Sequence, residues 1–81
     1  MVSTERMNQL EAFVAIAKDA VARAEESRLR WIQLPGIFVD SAGKDIRAES
    51  IARADNAVLQ WRENQTRAES LLGRAQAGEN V

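Results

Sequence analysis

One stretch of the chain has residue types that could hold a phosphate. It is Ser41-Ala42-Gly43-Lys44-Asp45, where a Gly-Lys pair stands just ahead of a helical pattern. A phosphate-binding loop needs an earlier glycine about five residues before that pair's glycine and a Ser or Thr after the lysine. Here Gly36 lies seven residues ahead of Gly43, and Asp45 replaces the hydroxyl with a charge that repels phosphate. A glycine-containing turn leading into a helix accounts for the segment better.

The chain has no histidine and no cysteine. That excludes a Ser-His-Asp triad, a thiol nucleophile, the usual zinc sites and haem ligation through those residues. Carboxylates remain for acid-base work or hard cations, but they are dispersed and have arginine neighbours. A di-iron bundle would need inward glutamates and a Glu-x-x-His pattern. No catalytic, cofactor-binding or metal-binding residue is therefore assigned, and no enzymatic activity is expected. Asn64-Gln65-Thr66 matches a glycosylation acceptor, yet it falls inside a predicted helix and reads as coincidence.

Arginines could contact nucleic acid. Arg23, Arg30, Arg47, Arg53, Arg62, Arg67 and Arg74 recur along two helical patterns, but the net charge is −1 and the pI near 5.4. Asp19 and Arg23, Glu26 and Arg30, Glu49 and Arg53, and Glu63 and Arg67 each lie four apart with the acid first. That orientation stabilises a helix by about 0.2–0.5 kcal/mol per pair and makes a solvated face. No exposed aromatics alternate with the arginines for base stacking, so nucleic acid is not the expected partner. Glu11 and Lys18 interrupt the N-terminal apolar stretch, leaving no signal-like or spanning segment. The expected location is the cytoplasm, with no membrane contact. Arginine supplies nine of the eleven basic residues and alanine is abundant, which fits GC-rich bacterial or phage coding sequence.

The elements that carry these residues show in a repeat of seven, with positions lettered a to g and the apolar seam at a and d. Met7, Leu10, Val14, Ala17, Val21, Ala24, Arg28 and Trp31 form one seam. Ile51, Ala54, Val58, Trp61, Gln65, Ala68, Leu72 and Ala75 form another. Pro35 and Gly36 end the first run and Gly43 precedes the second. The pattern predicts an all-α, single-domain antiparallel hairpin over residues 1–81, with helices over about 3–34 and 44–77. Ser3 or Thr4 should cap the first helix, and Asp40, Ser41 or Asp45 the second. The second should fray near Gly73 or Gly78.

Folding the chain back about the turn, position i should face roughly 78 − i. That sets Ala17 against Trp61, Ala24 against Ala54, Leu10 against Ala68, and Val21 against Val58 or Ala57, large residues opposing small ones. Val14, Val21, Ile51, Ala54, Val58, Trp61 and Leu72 are the expected hairpin seam. Trp31 should pack against Arg47, Ile46 or the loop residues Ile37, Phe38 and Val39. Arg28, at an a position, is expected to snorkel outward rather than reach Asp55, Ser50 or Asp45. Leu29 and Leu59, both at b, stand isolated outside the stripes.

A core this small rarely yields more than about 3–5 kcal/mol, so partners should contribute. The first helix has a wider apolar arc than one neighbour can cover. Leu10, Phe13, Ile16, Ala17, Ala20 and Ala24 are the expected face for a homodimer, a two-fold four-helix bundle. Trp31, Ile32, Leu34, Ile37, Phe38 and Val39 make the turn end more apolar than a connection needs, and form the candidate surface for a protein partner of unknown identity. The expected function is a non-enzymatic protein-binding regulator, an adaptor or inhibitor, possible for a phage or mobile element. A structural or chaperone subunit of a phage or secretion assembly, and an RNA-binding bundle, are the alternatives.

Overall fold

A computed structural model describes residues 2–36 and 39–81. Ile37 and Phe38 of the candidate turn-end surface lie outside the described residues. Two helices, α1 (Thr4–Gln33) and α2 (Ile46–Gln76), lie side by side as an all-α hairpin measuring 57 × 17 × 16 Å.

Each helix boundary has a local cause. The Ser3 hydroxyl oxygen accepts the Arg6 N–H at 3.1 Å, taking up one of the first-turn donors, while Glu5 places a carboxylate near the positive end of the helix. At the other end Pro35 disfavours helical backbone for the residue before it, and Leu34 is accordingly extended at φ −62°, ψ 127°. Asp45 caps α2, its carboxylate accepting the Arg47 N–H at 2.9 Å. Gly78, at φ 91°, closes α2. Its N–H reaches the Ala75 carbonyl at 3.1 Å and the Glu79 N–H reaches that of Arg74 at 2.9 Å, a Schellman pair that a left-handed glycine makes possible. Gly73 stays inside the helix, so the stop comes at the later of the two candidate glycines.

The core is thin and follows the two seams. Leu10, Val14 and Ala17 of α1 and Ala54, Val58, Ala68 and Ala75 of α2 are buried, with Leu10 wholly so. Burying one leucine contributes about 1.5–3 kcal/mol, whereas the alanines chiefly let the helix backbones approach. Met7, Val21, Ala24, Trp31, Ile51, Gln65 and Leu72 are half-buried along the same line. Trp61 departs from the expected slot opposite Ala17, remaining 36% exposed.

The register also differs from expectation. The cross-helix ion pairs join Arg28 to Asp55 and Glu25 to Arg62, where the 78 − i fold-back would set position 28 against 50 and position 25 against 53. Moving the register about four residues accommodates both, and brings every a position of one helix level with a d position of the other. Val14 then stands level with Ala68, Leu10 with Leu72, Ala24 with Val58, and Val21 rather than Ala17 with Trp61. Antiparallel helices mesh a against d because only that alternation keeps both seams facing. Arg28 spans the seam edge to Asp55 while its side chain stays 45% exposed.

Candidate functional site

The turn is organised by its own side chains. The Asp40 carboxylate accepts the N–H groups of Ala42 and Lys44, both at 2.9 Å, and the Asp40 carbonyl accepts that of Gly43 at 3.0 Å. An anion-binding loop would leave such donors free. Here the protein's own carboxylate fills the cradle, and the Lys44 ammonium pairs with Glu49 at 2.5 Å. The local geometry thus agrees with a turn and gives phosphate no place.

Arg47 ties that turn to the end of α1. Its guanidinium donates to the carbonyls of Trp31 at 3.0 Å, Ile32, and Gly36 at 3.3 Å. The last carbonyls of a helix lack internal partners and carry partial negative charge, so a forked cation satisfies both needs. Around this cap Trp31 is half-buried, while Ile32, Leu34 and Val39 remain exposed. The described part of the candidate turn-end surface is thus a capped helix end with three apolar side chains facing water.

The expected dimer face divides. Leu10 and Ala17 are buried within the hairpin and can meet no second copy, because they sit at d positions that the partner helix already covers. Ala20 and Ala24 are half-buried at its edge. Phe13 at 47% and Ile16 at 59% stay exposed. The Arg6 guanidinium lies 6.0 Å from the Phe13 ring centre, at the outer limit of a cation–π contact.

The two long sides of the hairpin differ in chemistry. One side is set by e positions, as the Glu25–Arg62 pair at 2.5 Å shows. There Val58, Leu29 and Leu59 line a groove of about 630 Å³ between the Arg28–Asp55 and Glu25–Arg62 pairs. Leu29 and Leu59 are therefore neighbours across one groove, which their spacing in sequence concealed. On the opposite side run the g positions with c beside them. Arg6, Arg23, Arg30, Arg53, Arg67 and Arg74 all fall at c or g, and every Asp and Glu within the two helices falls at e or f. The segregation was readable from the seven-residue spacing once e and g were treated as separate sides.

Only some of the expected i, i+4 pairs form. Arg23 meets Asp19 at 3.0 Å and Arg30 meets Glu26 at 2.7 Å. Glu49 turns instead to Lys44, and that hydrogen bond, with the lysine's charge and a smaller contribution from Arg53, holds the Glu49 carboxyl below the usual carboxylate range against a small opposing effect of burial. Arg74 reaches Glu79 at 3.1 Å. Arg53 acts on Glu49 through its charge, and Arg6 donates to the Val81 oxygen at 3.3 Å and to the Gln9 side-chain oxygen at 3.1 Å.

Comparison with protein-family models, curated proteins and solved structures finds no match. The functional reading therefore rests on the chain's own surfaces. Among the described residues no cluster of three acids could hold a metal ion, and no helix is long and apolar enough to cross a membrane.

Proposed function

We propose that the chain is a non-enzymatic protein-binding module, an adaptor or inhibitor that acts by occupying a surface on another protein. The observation that carries this reading is the apolar surface left over once the hairpin is closed. Phe13, Ile16, Leu29, Ile32, Leu34, Val39, Leu59 and Trp61 all keep at least 36% of their surface exposed. Their positions at the turn end and along both sides give several places for a partner to bury them. A bacterial or phage origin and a cytoplasmic setting fit the composition.

Self-association is the second reading, and the total surface favours it. The chain exposes 5832 Å². A compact monomer of its mass would expose about 4,900 Å², so the excess is on the order of 1,000 Å², similar to the ~800 Å² that each partner buries in a standard interface. A subunit completed only inside a larger assembly would carry the same excess.

Sedimentation across a concentration series, read beside helical circular dichroism, tests both. A strongly helical monomer or dimer agrees with a self-contained module, and a poorly helical monomer would overturn it in favour of an assembly subunit. Replacing Leu34 and Val39 with serine tests the turn end. Unchanged partner binding with full helicity would remove that surface from the proposal.

A further inference from the structure

The groove between Leu29 and Leu59 does not stand alone. A second hollow, of about 400 Å³, adjoins it and is lined by Leu59, Arg62, Glu63, Thr66 and Arg67. The two share Leu59 and Arg62, so Leu59, 59% exposed, stands as a ridge with a hollow on each side. The charges lining the pair balance, with Glu25, Asp55 and Glu63 against Arg28, Arg62 and Arg67. Four of them are matched within the hairpin as Glu25–Arg62 and Arg28–Asp55. Among the described residues, Glu63 and Arg67 form no ion pair with each other or with any other side chain, although they lie four apart on one helix.

We propose that a second copy of this chain docks on this ridge about a two-fold axis running along the helices, Leu59 of each copy entering the groove beside Leu29 and Val58 of the other while Glu63 of each pairs with Arg67 of the other. The inference rests on the self-association reading and names its surface. An isologous interface needs a surface that fits itself. A knob and its hollow side by side meet that need, because each copy supplies the leucine that the other's groove lacks. An axis along the helices sets every residue level with its own counterpart. Leu59 then comes opposite Val58 and Leu59 of the other α2, and Glu63 stands four residues from Arg67, about 6 Å along the axis. The open acid and the open base are satisfied reciprocally, once on each side of the axis. The balance of charges gives a strongly acidic or strongly basic partner no advantage. The area is sufficient as well: a hairpin 57 Å long and 17 Å across presents a side of about 1,000 Å², against the ~800 Å² that each partner buries in a standard interface.

Sedimentation of the full chain from micromolar to millimolar concentration should show a monomer–dimer equilibrium. Leu59→Glu should weaken it at least about tenfold, since a carboxylate would enter an apolar groove. E63R and R67E should each weaken it about threefold or more, because each sets like charges across the axis. Mixed in equal amounts, these two variants should recover the parent's affinity, since one chain then offers two arginines where the other offers two glutamates. All three alter exposed side chains, and circular dichroism checks that each variant keeps its helices. The charge variants decide the matter if Leu59→Glu does not fold. A dimer that Leu59→Glu leaves intact overturns the inference and keeps self-association, with Ile16→Glu then reporting whether the Phe13 side holds it. A dimer weakened by Leu59→Glu whose E63R and R67E mixture gains nothing over either variant alone overturns the axis along the helices, and the inference with it. A helical chain that stays monomeric at millimolar concentration overturns the inference and the self-association reading together.

Discussion

Arg47 Nε donates to the Trp31 carbonyl at 3.0 Å, so the first turn of α2 neutralises the last turn of α1. The same guanidinium reaches Ile32 and Gly36, making one side chain the clasp between the two helices and their connection.

Arg47→Met keeps the aliphatic stem and removes every donor. It should cost about 1–2 kcal/mol, because hydrogen bonds from a charged group are stronger than neutral ones while partial exposure moderates the loss. Urea unfolding followed by circular dichroism measures it. Arg47→Lys should recover little, since an ammonium cannot fork across three carbonyls.

Leu10→Ala empties the best-buried position in the chain and should cost about 2–5 kcal/mol, as much stability as a single small core supplies. Most of the helical signal should disappear at room temperature. Ile16→Ala, at a site 59% exposed, should stay close to the parent. Equal losses at the two sites would mean that both belong to one buried interface in solution.

The Arg28–Asp55 pair bridges the helices with both side chains nearly half exposed, at 45% and 47%. A double-mutant cycle with Arg28→Ala and Asp55→Ala should give a coupling of about 0.2–1 kcal/mol that shrinks as salt rises. A coupling of zero would show that the pair adds nothing to the contact between the helices.

Glu49 titrates below the usual carboxylate range because Lys44 donates to it and sits beside it. A carboxyl lowered in the folded state adds stability above its unfolded pKa, and that contribution disappears as pH falls through the lowered value. Lys44→Met should raise the Glu49 pKa, with Arg53 keeping a small part of the shift, as read by carbon-detected NMR titration. An unmoved titration curve would place Lys44 elsewhere.

The sequence by itself determined the hairpin. Pro35 stops α1 by restricting Leu34, Asp45 caps α2, and two apolar repeats of seven demand that the helices face each other. These are local effects and short periodicities, and they act on each segment without reference to the other. The same letters placed Val14, Val58 and Ala54 in the seam. What they could not decide is how far one helix slides along the other, since a against d recurs at every shift of seven residues and alanine-rich seams differ little between such shifts. That choice belongs to the tertiary structure. It sets Arg28 on Asp55, joins Leu29 and Leu59 across one groove, and frees Trp61 from its expected slot. It also withdraws Leu10 and Ala17 from the dimer face, because a residue on a wide apolar arc becomes core or surface only when its neighbouring helix arrives. The gathering of e rows on one side and g rows on the other has the same origin: both rows lie on each helix from the start, but only antiparallel packing lays like rows together.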